Sequence, residues 1–196
     1  MKKQVIAVSF LALLSGAAMA QGNAQGPWMV RARAVHLSST NGDSTPLSLS
    51  INNKWLPEAD ISYFFSPNVA AELVLTVPQG QTLRSNGAAI GSFRHLPPSL
   101  TLQYHFPQAS FTPYVGAGFN YTRISSVSLP AGVDMKRNSF GAVLQAGVDI
   151  PVAKNTYLNF DIKKEYISTE VSSAGARIGT FRIDPVLFGV GLGWRF

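Results

Sequence analysis

Several ionisable side chains of this 196-residue chain recur two residues apart: Arg31 and Arg33, Glu58 and Asp60, then Asp161, Lys163 and Glu165, with Glu72 standing alone. Carboxylate pairs such as Glu58 with Asp60, or Asp161 with Glu165, are the raw material of general acid–base catalysis. Cations of the same spacing favour a different reading. Arg31, Arg33, Glu58, Asp60, Glu72, Asp161, Lys163 and Glu165 are expected to meet as one interior ionic network, because buried charges need partners.

Other reactive residues fail to form a pattern. Ser92, His95, Asp43 and Asp134 are ordinary loop residues with no motif linking them, as a hydrolytic triad would require. His95 and His105, read as one strand, would stand roughly 33 Å apart at about 3.3 Å per residue and could not share an ion. The chain has no cysteine, so disulfides and thiolate metal sites are excluded. No enzyme activity, metal or cofactor is expected.

A spacing of two is the period of a strand, so the elements that position these residues are strands. At the C-terminal end Val186, Phe188, Val190, Leu192, Trp194 and Phe196 share one face, and Leu187, Gly189, Gly191, Gly193 and Arg195 the other. The same apolar-against-polar alternation runs through "WMVRARAVHL", "WLPEADISYFF", "AAELVLTV", "SLTLQYHF", "PYVGAGFNYT", "SFGAVLQAGVDI" and "TYLNFDIKKEY". Eight strands result. Met29 and Val35 break the rule by falling on the Arg face, and Lys164, Arg182 and Asp184 by taking the apolar parity.

The connections alternate between tight turns at residues 66–68, 107–112 and 151–155 and longer stretches at 39–53, 78–93, 124–138 and about 170–179. Short turns at one end and long loops at the other is the layout of an outer-membrane barrel. A soluble sandwich or lipocalin-like barrel would turn its apolar face inward, which the charged minority face opposes. Aromatics fall at both strand ends: Trp28, Tyr63, Phe65, Tyr104, Phe106, Trp194 and Phe196 towards the short turns, and Trp55, Tyr121, Phe140 and Tyr166 towards the loops. Two belts of this kind mark two membrane interfaces. The expected fold is all-β, an eight-stranded antiparallel transmembrane β-barrel with outer-membrane lipid as its surroundings.

Residues 1–20 read as a secretory signal peptide, with Lys2 and Lys3, an apolar run and "AMA" ending at Ala20. The barrel is then assigned to residues 21–196. Without the two lysines the formal charge falls from +6 to +4, and no basic run suggests nucleic acid.

The stretches "PEADISYFFSPNVAAEL", "IGSFRHLPPSLTLQYHF", "PYVGAGFNYTR" and "DPVLFGVGLGWRF" resemble the OmpW family of small Gram-negative outer-membrane proteins, which includes the AlkL hydrocarbon-uptake relatives. The resemblance implies periplasmic termini, extended extracellular walls and passive uptake of small hydrophobic molecules that leave sideways through the wall. It also implies that the terminal Phe196 is a signal for the outer-membrane assembly machinery. Pro57, Pro97, Pro98 and Pro185 are candidates for a lateral opening, since proline cannot donate a ladder hydrogen bond. Phe64, Val74 and Val143, apolar on a polar parity, are candidates for a hydrophobic passage. In the family a Leu and a Trp are proposed as a gate; the matching positions here are Val74 and Lys163, so the Trp half is missing. The alternative reading is a structural or surface-interaction barrel whose loops bind host factors, phage or toxins.

Overall fold

A computed structural model describes residues 25–196, so the signal peptide expected at 1–20 lies outside the described residues. Every regular element among the described residues is a strand. In chain order they are β1 (Trp28–Ser38), β2 (Gly42–Asp43), β3 (Leu49–Ile51), β4 (Lys54–Phe64), β5 (Val69–Thr76), β6 (Gln79–Ser85), β7 (Ala88–Leu96) and β8 (Ser99–His105), followed by β9 (Thr112–Ser128), β10 (Val133–Met135), β11 (Asn138–Ala153), β12 (Thr156–Glu165), β13 (Ser168–Ser173), β14 (Ala176–Arg182) and β15 (Val186–Arg195).

Eight of them close into an antiparallel ring, β1–β4–β5–β8–β9–β11–β12–β15 and back to β1. Closure is what lipid demands, because an open edge would leave backbone N–H and C=O groups without partners in hydrocarbon. The seam is the β15–β1 pair, in register from Met29 opposite Arg195 to Ser38 opposite Val186. The last residue is part of it: Trp28 N–H donates to the Phe196 carbonyl, and Phe196 N–H to the Trp28 carbonyl.

Alternation sorts the wall. Ile61, Leu73, Leu100, Leu102, Phe119, Leu144, Phe160, Phe188 and Leu192 face outward and are exposed to the surroundings. The two aromatic sets occupy opposite rims, and rings pair along them, Trp28 on Tyr63 with centroids 4.8 Å apart and Tyr104 on Phe106 at 4.9 Å. Both girdles lie where amphipathic rings are favoured, at a membrane–water interface.

The long connections are not open loops. β6 and β7 form a hairpin turning at Asn86–Gly87, and β13 and β14 another turning at Ala174–Gly175, each with two successive positive φ angles. That geometry belongs to the tight turn matching strand twist, and Asn-Gly is its strongest sequence signal. β3 extends the first hairpin, while β10 and β2 flank the second in a separate sheet, β10–β13–β14–β2. These strands lengthen the barrel beyond its outer girdle, and their inward faces pack Leu49, Ile51, Leu83, Phe93, Ile124, Met135, Ile167, Val171, Phe181 and Ile183 into the largest apolar core of the molecule.

Candidate functional site

Inside the barrel, residue types change in layers. Nearest the short turns, buried Met29, Phe64, Ala70 and Tyr157 pack together. Below them opens a mouth of about 430 Å³ lined by Met29, Phe64, His105 and Arg195, with the Arg195 guanidinium 3.8 Å from the Phe64 ring centre.

Next comes a layer of charge. Arg31 donates two hydrogen bonds to Asp149, from Nε at 3.2 Å and Nη2 at 2.7 Å, and its Nη1 bonds Asp60 at 3.2 Å and the Ser62 hydroxyl at 2.9 Å. Arg33 reaches Glu58 at 2.9 Å, Glu72 at 3.1 Å and the Asn159 side-chain carbonyl at 2.7 Å. Lys163 bonds Glu58 and lies 3.2 Å from Asp161. Gln145 donates to both Glu72 and Asp161, and the Tyr114 hydroxyl donates to Asp161 at 2.7 Å. Three cations thus meet five carboxylates in one connected, buried block. Charges taken from water are costly unless hydrogen bonds satisfy the rest of each group; Gln145, Asn159 and Tyr114 do so for Glu72, Asp149 and Asp161, while Asp60 Oδ2 is met by the Arg33 guanidinium alone, at 2.9 Å.

The sequence-derived set is brought together except for one member. Glu165 stands apart, accepting a hydrogen bond from the Ser99 hydroxyl at 2.8 Å and touching none of the three cations. Asp149 and Tyr114 belong to the network although sequence reading left them out of it. Their inward parity, shared with Gln145 and Gly116, was the available signal. Glycines make the space: a Cβ at Gly193 would meet Met29 and Arg31, and one at Gly189 would come within 3.2 Å of the Arg33 side chain.

Beyond the charges, Val35, Leu37, Leu56 and Leu187 form a second buried apolar layer. Met29 and Val35, which broke the alternation rule, therefore cap the charge layer from its two sides. The passage candidates do not line one path: Phe64 lies in the layer near the short turns, whereas Val74 borders a cavity of about 20 Å³ with Leu37, Leu56 and Leu187. Val143 is buried in β11 opposite Glu165. The apolar residues that do fill the outer half come from the extracellular strands.

The wall is interrupted beside this cavity. Pairing of β5 with β8 ends at Val74 opposite Ser99, and pairing of β6 with β7 starts at Gln79 opposite His95. Leu75 to Pro78 and Leu96 to Pro98 therefore face each other without a ladder. On their other side the prolines stay in register with β9, where the Pro98 carbonyl accepts the Tyr121 N–H at 3.1 Å. Pro57 adjoins the break, its carbonyl accepting the Thr76 hydroxyl at 2.9 Å. Pro185 does not, since its carbonyl accepts the Glu165 N–H within the β12–β15 seam, although it borders the small cavity with Pro97.

His95 and His105 lie on two strands, β7 and β8, and not on the single strand expected, because the Pro97–Pro98 pair ends one and precedes the next. His105 packs between the Phe64 and Tyr114 rings, tilted against both, with centroids 4.9 and 5.0 Å away. His95 is buried beyond the outer girdle, opposite Ile124 and 3.2 Å from Gln81. Burial, reinforced by the charge of Lys54, holds its pKa down at about 4. Lys164, the charged residue on the lipid parity, reaches back to the Asp184 carbonyl and lies over the Tyr166 ring at the outer rim.

A closed eight-stranded barrel with an apolar outer band, two aromatic girdles and a charged interior is a transmembrane barrel of the outer membrane. The chain belongs to the OmpW family, whose model matches residues 25–196. It is 40% identical to the outer-membrane protein y4mB of Sinorhizobium fredii, over 87% of this chain and 80% of that one. To outer membrane protein W of Escherichia coli it is 30% identical over 100% and 99%, and to the dibenzothiophene metabolism operon protein PahQ of Pseudomonas aeruginosa 28% over 81% and 73%. Among solved structures it is similar to OprG of Pseudomonas aeruginosa, with a TM-score of 0.75, 22% identity and coverage of 88% and 97%. Similarity to AlkL gives a TM-score of 0.70, 23% identity and coverage of 91% and 94%.

Proposed function

We propose that this barrel takes up small hydrophobic molecules from the extracellular side and releases them sideways into the outer membrane at the break between Leu75–Pro78 and Leu96–Pro98. The observation that carries this reading is vertical order: an apolar outer half stands on a buried charge layer, and the wall is unpaired where the two meet. An apolar solute leaving water gains free energy in the upper core, about 25 cal/mol per Å² of buried surface, and would lose it on entering the ionic layer. The lateral break offers hydrocarbon instead. A relative whose name places it in a dibenzothiophene metabolism operon supports the same class of cargo. The apolar core fills the outer lumen, so entry requires its side chains and the extracellular hairpins to part.

Because the chain contains no cysteine, a disulfide can be introduced cleanly. In proteoliposomes, Leu75→Cys with Pro98→Cys, which continue the β5–β8 register across the break, should abolish apolar-solute uptake when oxidised and restore it on reduction. Uptake that is unchanged by oxidation rules out the lateral route; no gain over protein-free liposomes rules out transport.

A further inference from the structure

The outward face beyond the outer girdle has a feature that transport does not use. Arg94 on β7, Arg123 on β9, Lys136 between β10 and β11, and Arg177 on β14 are all exposed on that face. Strand register makes them a row. Arg94 is opposite Ser125, two residues from Arg123; Arg123 is opposite Asn138, two residues from Lys136. Such diagonal neighbours are about 7–8 Å apart, within reach of long side chains. The row continues onto the second sheet, where Lys136 N–H donates to the Glu170 carbonyl and Arg177 is opposite Ser172 on the same strand as Glu170.

Among the described residues Arg94, Arg123 and Lys136 form no ion pair, whereas nearby Arg137 is held by Asp134 at 2.7 Å. Glu170 is the carboxylate within the row, 3.8 Å from Arg177 with both side chains exposed. At the opposite rim, among the described residues, Lys154 is the outward basic side chain, so the charge is one-sided.

The row has a cavity and an apolar floor. A cleft of about 530 Å³ lies where the barrel wall meets the outer face of β13 and β14, and a second of about 360 Å³ adjoins it; Lys136, Glu170 and Arg177 line both. The first cleft opens over Tyr121 and Phe140, and Phe140 is 70% exposed on the lipid-facing side of the wall. Asn138, Ser168 and Thr180 on its rim suit sugar hydroxyls.

We infer that this cleft binds the anionic, sugar-based head group of an outer-leaflet saccharolipid, with phosphate or carboxylate on Lys136 and Arg177, which line it, and on Arg123, which adjoins it in the row, and an acyl chain against Phe140. Position decides for the lipid: Arg123 lies two residues, about 7 Å of strand, beyond Tyr121 of the girdle, where head groups begin. Cations placed there attract anionic lipid within a Debye length.

The test uses the full barrel in zwitterionic phosphatidylcholine nanodiscs doped with bis-phosphorylated lipid A, reading bound lipid per protein by native mass spectrometry. Arg123→Gln, Lys136→Gln and Arg177→Gln together should lower retention about tenfold or more, since each cation contributes to anionic-lipid attraction. Removing two cations elsewhere, with Arg84→Gln and Lys154→Gln, should leave it nearly unchanged, and the double variant Lys136→Gln with Arg177→Gln matches that control in charge. A heat-modified gel shift equal to wild type establishes that the triple variant is folded. Dephosphorylated lipid should bind as weakly to wild type as lipid A does to the variant. Equal retention by wild type and triple variant overturns the proposal, and so does displacement by millimolar inorganic phosphate, which would mark a free-anion site.

Discussion

Arg31 shares a buried block with Asp149, Asp60 and Glu72, and its side chain is fully buried. Removing one partner from such a block leaves charges that nothing neutralises. Arg31→Met is therefore expected to cost about 3–5 kcal/mol, the usual penalty for breaking a buried pair. Urea unfolding in lipid vesicles measures it. Replacing both ends, Arg31→Met with Asp149→Leu, should cost less than the sum of the single changes, since the two groups share one set of bonds. Additive costs would show that the contact is not energetically coupled. Asp149 and Tyr114 were readable as inward-facing from strand period alone. Their membership in the network was not, because period gives a face and never the height at which side chains from non-adjacent strands meet.

The extracellular strands are elements held by the core they share. His95 sits buried between that core and the small cavity, with a pKa lowered from 6.5 to about 4 by desolvation and by Lys54. When β6 and β7 open, the imidazole regains its ordinary basicity, so the open state binds more protons between pH 6.5 and 4. The closed hairpin is then fully stable above about pH 6.5 and loses stability as pH falls towards 4, by up to about 3 kcal/mol. Amide exchange of β6 and β7 should accelerate over that window and not between pH 7 and 8. His95→Gln should flatten the dependence. The hairpin itself was legible in the sequence at Asn86–Gly87, yet its strands are short and mixed in polarity, and it gains its burial against β3, β9 and the second sheet, which are distant in the chain or unreadable as strands. The Ala174–Gly175 turn lacks even the Asn-Gly signal.

For the whole molecule, the charge layer separates two cavities and closes the lumen between the membrane faces. A barrel of eight strands leaves room for side chains and little else. In planar bilayers the protein should pass almost no ion current, while Arg33→Ala with Lys163→Ala, which removes two of the layer's three cations, should raise conductance several-fold by hydrating the carboxylates left without partners. Wild-type conductance matching that of the double variant would mean that the layer is no barrier. Apolar uptake by the lateral route should survive this change if the barrel still folds, because the break lies on the extracellular side of the charges.

By itself the sequence determined the number of wall strands, the face each presents to lipid, both aromatic girdles and the family, because a period of two and a hydrocarbon solvent leave few alternatives. The final "VLFGVGLGWRF" already showed an apolar face, a glycine face and an aromatic end. The tertiary structure decided what depends on distance across the lumen: that Glu165 stands outside the ionic block while Asp149 stands within it, that Phe64 and Val74 sit in different layers, and that Pro97 and Pro98 border a break in pairing while Pro185 stays in a seam. It also joined Arg123, Lys136 and Arg177 along one rim. Strand shear and closure fix these heights, and they are properties of the closed ring, not of any one strand.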